Sequence, residues 1–382
     1  MLFLNLVLGI CVKILLTIND ISITGGAERV VVNLANALAE AGNQVEILSF
    51  YKANENLPYD INAHIKLHFW HDIPESTFST QMCRNICQKI YYKNFYKIAL
   101  SISVYHAFKG FDIVIGNDTT YTPYLKHHNM RYIRLFHMRF DRYNTRNNFF
   151  HTLIVLSHKE LPLWQSYHKD VRVIANFLPF IPTQCTDISQ KRVVCVGRLS
   201  KEKGFLRLID IWALVQQSLH KSKQQFSSNF PSSLLDSWQL IIVGEGELKS
   251  EIESKIKALH LEDSILLKPF TKEIEKEYLN ASIYAMSSHF EGFPMVLLES
   301  CSYGLCPIAF DVKTGPSDII EHKKSGYLIE DNDLQGYANA LIELMSDENR
   351  REEMGKYAKQ RVKESFSKEA IMPLWEEVFK HK

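Results

Sequence analysis

Short apolar runs alternate with longer amphipathic stretches along most of this chain of 382 residues. The apolar runs have the length of buried strands, and the amphipathic stretches have the period of helices. Such alternation is typical of parallel sheets whose strands are connected by helices. In the first half of the chain the pattern predicts a helix over residues 27–41 and strands over residues 13–18, 44–50, 111–115, 132–137, 153–156 and 171–174.

A second series of strands begins after residues 176–182, a segment with two prolines that breaks the alternation and is typical of a linker. Residues 221–237, rich in Ser, Gln and Lys, predict an exposed loop. Polar amphipathic helices are predicted from Asp333 onward, with a break near residues 365–367. The strands of this half are predicted over residues 192–196, 239–243, 265–268, 283–286, 306–310 and 327–329.

The expected fold class is therefore α/β, with two doubly wound Rossmann-like domains that face each other across a cleft. Single hydrophobic cores stop growing beyond about 250–300 residues, so this length fits two domains. We assign residues 1–178 to the first domain and residues 179–364 to the second. Residues 365–382 are expected to form a helix that packs back on the first domain.

The first twelve residues are almost wholly apolar, but Lys13 ends the run. A membrane-spanning helix needs about 20 such residues. The segment also has neither the charged start nor the cleavage site of a secretory signal. We interpret residues 1–12 as an extension, which is either a short membrane-contacting segment or the result of start-site choice with Val12 as the initiator. The second interpretation is the one that we prefer.

Composition narrows the class of protein without identifying it. Hydrophobic residues make up 46% and charged residues 23%, as in ordinary globular proteins. The net charge of +1 gives no overall field that would favour a nucleic-acid partner. Seven cysteines are spaced irregularly and lack the pattern of a zinc site. Cys195 and Cys301 lie in apolar runs and are expected to be core thiols, and free thiols fit the reducing cytosol.

The most informative segment runs from His289 to Glu299 and places two carboxylates eight positions apart across a turn. Glu291 follows an apolar strand, and Gly292 permits a close approach of its backbone. Pro294 suits the start of a helix, whose amino end favours phosphate. The two carboxylates could then hold the hydroxyls of a sugar linked to a diphosphate. The alternative is a solvated loop carboxylate and an unrelated one on a helix surface.

Glu291-Gly-Phe-Pro followed by Glu299 resembles the signature of the retaining glycosyltransferases of family 4, which have the GT-B fold. The resemblance covers the chain from Lys13 to the terminal helix and is strongest over residues 196–326. It implies that Glu291 is catalytic and contacts the donor sugar, and that Glu299 contacts the ribose. It also implies a set of neighbouring donor-binding residues, namely Gly292, Phe293, Met295 and Val296.

A second motif, Gly197-Arg-Leu-Ser-Lys-Glu-Lys-Gly204, follows the first strand of the second domain. Ligands of open α/β sheets bind at the carboxyl ends of the strands. Arg198 and Lys203 lie there and could neutralise a diphosphate. The alternative is an ordinary basic surface loop. The family resemblance implies that these two cations hold the diphosphate of the donor.

A third motif, Thr24-Gly-Gly-Ala-Glu-Arg29, lies between the first strand and the first helix. Gly25 and Gly26 could direct backbone N–H groups at a ligand, or they could serve only helix–strand packing. The motif is not a dinucleotide fingerprint, and no acidic residue follows the second strand, so a hydride-transferring enzyme is disfavoured. By resemblance, the loop contacts the donor phosphates and the acceptor.

His137 is expected at the carboxyl end of a strand of the first domain. Most such histidines are partly buried polar residues. In several members of the family that the chain resembles, however, a histidine near this point contacts the transferred sugar. We therefore include His137 among the candidate catalytic residues.

The resemblance is weakest over residues 55–130, where acceptor specificity is expected. This region contains the basic and aromatic segment from Lys89 to Lys97. It could lie on a layer of lipid headgroups. It could also be an amphipathic helix that packs its Tyr and Phe side chains into the domain, and the sequence favours this second interpretation.

Taken together, the motifs predict the transfer of a hexose or N-acetylhexosamine from a nucleotide sugar, expected to be UDP-linked, to a glycan or lipid-linked acceptor. By resemblance, the product would be a lipopolysaccharide, capsule or other surface polysaccharide. We expect a cytoplasmic enzyme with peripheral contact at the inner membrane. No cofactor and no metal are expected, because two cations and a helix amino end would stabilise the leaving diphosphate, and no D-x-D motif occupies a suitable loop. The alternatives are a nucleotide-sugar epimerase and a non-catalytic nucleotide-sugar-binding protein.

Overall fold

The computed structural model describes residues 11–225 and 238–380 of the chain. The chain divides into two compact units. Unit 1 comprises Met1–Pro179 together with Lys368–Lys382, and unit 2 comprises Phe180–Ser367. The apolar residues 1–10 lie outside the described residues. Val12 is buried and its carbonyl accepts a hydrogen bond from the Gln44 N–H (3.0 Å), so this residue belongs to the domain and not to an extension.

Unit 1 contains a sheet of seven described strands in the order β3-β2-β1-β4-β5-β6-β7, and every neighbouring pair is parallel. Strands of parallel sheets are covered on both faces, which is why most of these runs are continuously apolar. The strands are β1 Lys13–Asp20, β2 Gln44–Tyr51, β3 Lys66–Phe69, β4 Ile113–Gly116, β5 Arg131–Leu135, β6 Thr152–Val155 and β7 Val171–Val173.

Two features of unit 1 differ from the sequence prediction. Strand β3 was missed because it is a short edge strand, and its four residues are exposed or only half-buried. His137 does not end a strand, because β5 stops at Leu135. The helices of this part of the chain are α1 Gly26–Glu40, α2 Glu75–Met82, α3 Ile86–Asn94, α4 Tyr96–Ala107 and α5 Leu161–Gln165.

The segment from Lys89 to Lys97 forms two helices and not one, since α3 and α4 meet at Phe95. Its aromatic side chains are divided between two environments. Tyr96 is buried and Tyr92 packs against the core, whereas Tyr91 and Phe95 are exposed. The expected packing of the aromatic side chains into the domain is therefore only partly correct.

Unit 2 contains a sheet of six described strands in the order β10-β9-β8-β11-β12-β13, again with every pair parallel. All six were predicted, because each is a compact apolar run followed by a polar turn. The strands are β8 Arg192–Val196, β9 Gln239–Val243, β10 Ile265–Lys268, β11 Ile283–Met286, β12 Cys306–Asp311 and β13 Tyr327–Glu330.

The first helix of unit 2 extends further than expected. It runs to Gln225, so the loop predicted over residues 221–237 is wrong for residues 221–225, and residues 226–237 lie outside the described residues. The helices of unit 2 are α6 Phe205–Gln225, α7 Lys249–Ala258, α8 Ile274–Leu279, α9 Met295–Ser302, α10 Pro316–Ile319, α11 Leu334–Ser346 and α12 Glu348–Ser365.

The last described helix, α13 Lys368–Lys380, belongs to unit 1. Its buried face includes Ile371 and Trp375, and Lys368 Nζ lies 2.8 Å from a carboxylate oxygen of Glu40 at the end of α1. Both sheets have the strand order of a doubly wound Rossmann-like fold. The expected α/β fold class with two such domains is confirmed.

The cysteines are free thiols. Cys195 and Cys301 are buried as expected, and Cys306 is buried as well. Within residues 11–225 and 238–380, the structure contains no helix that is both long enough and apolar enough to cross a membrane.

Candidate active site

The strand order of unit 2 reverses between β8 and β11, which are hydrogen-bonded neighbours although they are far apart in sequence. Such a switch point opens a crevice at the carboxyl ends of the strands, because the connections on its two sides leave in opposite directions. The loop after β8 carries Arg198 and Lys203, and the loop after β11 carries Glu291. The topology thus brings together two motifs that are separated by about a quarter of the chain.

Lys203 and Glu291 form an ion pair at this point. The Lys203 Nζ lies 2.6 Å from Oε1 of Glu291, which also accepts a hydrogen bond from the Ser288 hydroxyl (2.7 Å). Thr314 Oγ1 donates to the backbone carbonyl of Glu291. Since Glu291 is buried and Lys203 half-buried, the pair is held in a fixed geometry beside a small cavity that both residues line.

Gly204 sets the position of the lysine. It ends the 3-10 turn Lys201–Lys203 with φ of +65°, in the left-handed region that disfavours side chains. A Cβ atom at Gly204 would lie 2.0 Å from the carbonyl oxygen of Ser287, the residue that follows β11. The Ser287 hydroxyl donates to the carbonyl of Lys203 (3.1 Å). The two loops are therefore in direct backbone contact.

We expect Gly204→Ala to destabilise the chain by clearly more than Gly42→Ala. Both positions have positive φ, which costs about 1–2 kcal/mol for a residue with a Cβ. At Gly42 no described atom lies within 4 Å of the added Cβ, whereas at Gly204 a carbonyl oxygen must move. Thermal unfolding of the two variants measures the difference, and equal losses of stability would show that the loops can separate freely.

Arg207 fixes the loop after β11 through hydrogen bonds to its backbone. The sequence analysis did not identify this residue. Its guanidinium donates to the Ser287 carbonyl (2.6 Å) and to the Ser288 carbonyl, and it pairs with Asp331 (2.8 Å). The only signal in the sequence is an arginine within an apolar stretch of α6, which does not reveal its partners. Arg207 is thus a positioning residue for the turn that precedes Glu291.

The expected donor-binding segment surrounds the start of α9. Pro294 is the residue before the helix, and Gly292 precedes it in the loop. Phe293 is buried and its ring packs against Phe366 (5.6 Å between centroids), so any ligand contact of Phe293 would come from its backbone. Met295 and Val296 form the first turn of the helix, where N–H groups point toward its amino end.

Glu299 lies on the second turn of α9 and is buried. Its Oε2 accepts a hydrogen bond from the Tyr278 hydroxyl (3.3 Å). Arg198, by contrast, is exposed on the loop after β8. The structure therefore brings Lys203 and Glu291 into contact, and it places Arg198 on the loop that carries Lys203 and Glu299 on the helix that follows Glu291.

The surroundings of the two glycines of unit 1 leave room for a side chain at both positions. Gly25 precedes α1, its carbonyl accepts from the Tyr59 hydroxyl (2.9 Å), and a Cβ there would lie 2.1 Å from Oε2 of Glu28. Gly26 begins α1, and no described atom lies within 4 Å of a Cβ built there. The atoms near a Cβ at Gly25 belong to the flexible Glu28 side chain, which can move away, so packing against neighbours requires a glycine at neither position.

His137 is anchored to the switch point of the first sheet, between β1 and β4. Its Nε2 lies 3.0 Å from Oδ1 of Asn117, which follows β4. Its Nδ1 is buried and has no hydrogen-bond partner among the described residues. Burial, and secondarily the positive charge of Arg134, lowers the pKa of His137 to about 4. The imidazole is therefore neutral at physiological pH and acts as a hydrogen-bonding group, not as a cation.

Asn117 and Asp118, a polar pair directly after β4, were also missed by the sequence analysis. Asp118 is buried and accepts hydrogen bonds from the Thr17 hydroxyl and the Tyr121 N–H, both at 2.6 Å. The signal in the sequence was an Asn-Asp pair that ends an apolar strand. These contacts fix the loop on which the partner of His137 lies.

The lowered pKa of His137 predicts a loss of stability in acid. The unfolded chain takes up a proton near pH 6.5, whereas the folded chain does so only near pH 4, so stability falls as the pH drops through this interval. The loss is up to about 3 kcal/mol. Denaturant unfolding between pH 7 and pH 4 should show a smaller loss for His137→Asn than for the wild type. Identical pH profiles would mean that His137 is not desolvated.

No group of three or more His, Cys, Asp or Glu side chains that could hold a metal ion occurs in the described part of the chain. In the D-x-D sequence Asp331-Asn332-Asp333, both carboxylates contact other groups of unit 2. Asp331 pairs with Arg207, and Asp333 accepts a hydrogen bond from the Gly336 N–H (2.8 Å) at the start of α11.

Comparison with known proteins gives a family match for the second half of the chain. Residues 186–361 match the family model described as glycosyl transferases group 1. The chain is 35% identical over 217 residues to the amylovoran biosynthesis glycosyltransferase AmsD of Erwinia amylovora, an alignment that covers 55% of this chain and 56% of that protein. It is 27% identical over 357 residues, 89% of this chain and 91% of the relative, to an α-1,4-N-acetyl-D-galactosaminyltransferase of Campylobacter jejuni whose named acceptor is an undecaprenol-linked glycan.

Solved structures give the same result for the fold. A TarM variant from S. aureus, solved with fondaparinux, α-GlcNAc-glycerol and UDP, superposes with a TM-score of 0.75 over 97% of this chain and 100% of that one, at 17% identity. The lipopolysaccharide outer core galactosyltransferase WaaB, in its apo form, superposes with a TM-score of 0.69 over 95% of this chain and 98% of that one, at 19% identity.

The chain is a glycosyltransferase with two Rossmann-like domains of the GT-B type. Residues 186–361, which lie within unit 2, match the group 1 glycosyl transferases, and relatives of the chain include glycosyltransferases of bacterial polysaccharide and lipid-linked glycan synthesis.

Proposed function

We propose that this chain is a retaining, metal-independent glycosyltransferase of family 4 that moves a hexose or N-acetylhexosamine from a UDP-linked donor. The acceptor is a glycan or a lipid-linked glycan of surface polysaccharide synthesis. The observation that carries the proposal is the Lys203–Glu291 pair at the switch point of unit 2, beside the amino end of α9. A cation and a carboxylate held in contact fit a ligand that joins a diphosphate to a sugar.

In the proposed reaction the bond between the anomeric carbon of the sugar and the diphosphate breaks, and negative charge grows on the leaving phosphate. Stabilising this charge is the largest contribution that the site makes to catalysis. Lys203 and Arg198 supply positive charge, and the N–H groups of the first turn of α9, at Met295 and Val296, supply further donors. The exposed side chain of Arg198 lies on the same loop as Lys203 and is proposed to contact the diphosphate as well.

Glu291 is proposed to contact the transferred sugar. Its Oε1 is occupied by Lys203 and Ser288, which leaves its second oxygen to accept a sugar hydroxyl. Glu299 is proposed to accept the hydroxyls of the ribose. We favour attack by the acceptor on the face that the diphosphate leaves, because no well-placed nucleophile is evident in the sequence of the first domain.

In unit 1, Gly25 and Gly26 are proposed to contact the donor phosphates and the acceptor, and His137 the transferred sugar. A neutral imidazole fits this role, because it can accept or donate one hydrogen bond without adding charge. The open space at Gly26 is consistent with a ligand that approaches the backbone there.

The names of relatives support the class of acceptor. The Campylobacter jejuni relative acts on an undecaprenol-linked glycan, and a Staphylococcus aureus relative, 32% identical over 138 residues, is a poly(ribitol-phosphate) α-N-acetylglucosaminyltransferase. The UDP in the TarM structure supports a UDP-linked donor. We propose that the enzyme works on the cytoplasmic face of the inner membrane, in peripheral contact with it.

The test of the proposal is to incubate the full chain with UDP-linked hexoses and N-acetylhexosamines and to follow UDP and sugar separately. A glycosyltransferase releases UDP faster when an undecaprenyl-diphosphate-linked glycan is added, and the acceptor gains the mass of one sugar. An epimerase would release UDP at the same rate without an acceptor and form an altered free sugar. A binding protein would bind UDP and release nothing.

A further inference from the structure

Two cationic side chains of unit 1 converge on the loop that follows β4, residues 117–121. Lys97 Nζ donates to the carbonyl of Thr119 (2.6 Å). The carbonyl of Tyr121, two residues further along the same loop, accepts from the guanidinium of Arg134 (3.5 Å). The strand order of the first sheet reverses between β1 and β4, so this loop borders the kind of crevice in which ligands of open sheets bind.

Arg134 is a buried cation with few polar contacts. It is only 7% exposed, and its Nε atom is buried and has no hydrogen-bond partner among the described residues. The ring centroids of Phe136 and Phe150 lie 5.7 Å and 5.3 Å from its Cζ atom. Aromatic rings attract a cation, but they are not counter-ions. Buried charges in proteins are normally paired with an opposite charge, because leaving water costs free energy.

Asp118 is the carboxylate whose charge acts on Arg134. Burial lowers the pKa of Arg134, and the charge of Asp118 opposes this effect. Both oxygens of Asp118 are already used, however, since Oδ2 accepts from the Thr17 hydroxyl and Oδ1 accepts from the Tyr121 N–H, each at 2.6 Å. In the part of the chain that the structure describes, no ion pair joins Arg134 to a carboxylate. A ligand with an oxyanion would supply the missing partner.

A third cation, Arg146, lies close enough to Lys97 to change its titration. Burial, and then the positive charges of Arg146 and Arg134, lowers the pKa of Lys97. The carboxylates of Asp118 and Glu75 act in the opposite direction. Lys97 and Arg146 are both half-buried, so each side chain also reaches solvent. We call these three neighbouring cations the cationic cluster: Lys97, Arg134 and Arg146.

The chain around the cationic cluster is basic as well. From residue 119 to residue 150 it contains a single carboxylate, Asp141, although the net charge of the whole chain is only +1. A local excess of positive charge attracts anionic ligands. The cations of this stretch are Lys126, Arg131, Arg134, Arg139, Arg142 and Arg146.

We propose that the cationic cluster binds an oxyanion, either a carboxylate or a phosphate, that the sugar acceptor carries. Arginine and lysine both donate to the oxygens of either group. Lys97 and Arg146 would contact the oxyanion, because the Lys97 ammonium has three N–H groups and uses one of them on Thr119. Arg134 would add the charge of its buried guanidinium. The inference rests on the proposed function, which makes unit 1 the domain that receives the acceptor.

The position of His137 indicates the acceptor as the source of the oxyanion. His137 contacts Asn117 on the same loop (3.0 Å), and the charge of Arg134 lowers its pKa. The proposed function places the transferred sugar at His137 and assigns the cations Arg198 and Lys203 of unit 2 to the donor diphosphate. An anion bound beside His137 therefore belongs to the molecule that receives the sugar.

The test is calorimetric titration of the full chain with three small probes, namely glucuronate, inorganic phosphate and neutral glucose. Saturating UDP is present, so that phosphate does not occupy the donor site. We expect at least one of the two anions to bind about tenfold or more tightly than glucose, because hydrogen bonds to charged groups add affinity. Tighter binding of glucuronate would assign the cluster to an acidic sugar of the acceptor, and tighter binding of phosphate would assign it to a phosphate group of the acceptor.

Lys97→Gln with Arg146→Gln should weaken the binding of that anion about tenfold or more, because two charged donors are lost. The matched control is Lys89→Gln with Lys93→Gln, which removes the same charge from exposed positions of α3 and should bind the anion as the wild type does. Arg134 is left unchanged, since its burial means that a substitution can unfold unit 1. If the double variant does not fold, Arg146→Gln alone should show a smaller loss of affinity in the same direction.

Three results would overturn the proposal. The first is that neither anion binds more tightly than glucose, and the second is that the cluster variant keeps the wild-type affinity for both anions. The third is an equal loss of affinity in the lysine control, which would indicate a general effect of charge and not a site. If the cluster variant bound UDP more weakly than the wild type, the cluster would instead contact the donor diphosphate, which also contradicts the proposal.

Titration of the wild-type chain with UDP separates this proposal from the proposed function. A chain that binds glucuronate or phosphate through the cationic cluster but binds no UDP would leave the anion site standing and would contradict the proposed function. A chain that binds UDP and transfers sugar, while its cluster variant binds both anions normally, would contradict this inference alone.

Discussion

Glu291→Gln is expected to lower the rate of sugar transfer by about 100-fold or more while UDP binding changes little. The glutamine retains the shape and can still accept from the Ser288 hydroxyl, but it removes the negative charge that faces Lys203. That charge pairs with the lysine, and we propose that it also stabilises the positively charged sugar of the transition state. The measurement is the steady-state rate of UDP release with saturating donor and acceptor.

Two variants serve as controls for this result. Glu202→Gln removes an exposed carboxylate from the loop after β8 and should transfer sugar at the wild-type rate. Glu299→Gln should instead weaken the binding of UDP, because a ribose hydroxyl loses its charged acceptor. Since Glu291 and Glu299 are both buried, each variant also requires a thermal unfolding curve. Wild-type turnover by a folded Glu291→Gln variant would show that the catalytic assignment is wrong.

Arg198→Ala and Lys203→Ala are each expected to weaken UDP binding by about 1.5–3 kcal/mol, or roughly 10- to 150-fold, the range for hydrogen bonds to charged groups. Binding of uridine should change little, because the two cations are proposed to contact the diphosphate and not the base. Lys203→Ala carries a second effect that Arg198→Ala does not. It leaves the buried carboxylate of Glu291 without its cation, so we also expect a lower melting temperature.

The matched control for these two variants is Lys201→Ala, because Lys201 is an exposed cation in the same loop. It should leave UDP binding close to that of the wild type. If uridine and UDP lost affinity equally in Arg198→Ala, the diphosphate would have to be held elsewhere in the chain. Calorimetric titration of all three variants with both ligands separates these outcomes.

The sequence alone predicted the strands of unit 2, because each is a short, largely apolar run that ends at a glycine, a proline or polar residues. Strand positions in turn place the motifs of a doubly wound sheet at its carboxyl edge, which is why Arg198, Lys203 and Glu291 could be assigned to one region. The edge strand β3 gave no such signal, since it is neither continuously apolar nor buried.

The contacts within the site could not be predicted, because they depend on backbone geometry between distant segments. Gly204 lies against Ser287, and Arg207 donates a hydrogen bond to the same loop, because α6 packs against the sheet. The burial of the His137 Nδ1 atom and the exposure of Ile86 depend likewise on the surrounding tertiary structure. A histidine after a strand and an isoleucine in a helix look the same in sequence whether they are buried or exposed.

The central claim is that unit 2 binds the nucleoside diphosphate of a sugar donor. Calorimetric titration of the wild-type chain with UDP, GDP, dTDP and ADP, each paired with its bare nucleoside, tests it most directly. We predict that at least one diphosphate, expected to be UDP, binds about 10-fold or more tightly than its nucleoside, because charged hydrogen bonds to the phosphates add to the affinity. Binding of no diphosphate, or equal affinities for a diphosphate and its nucleoside, would contradict it.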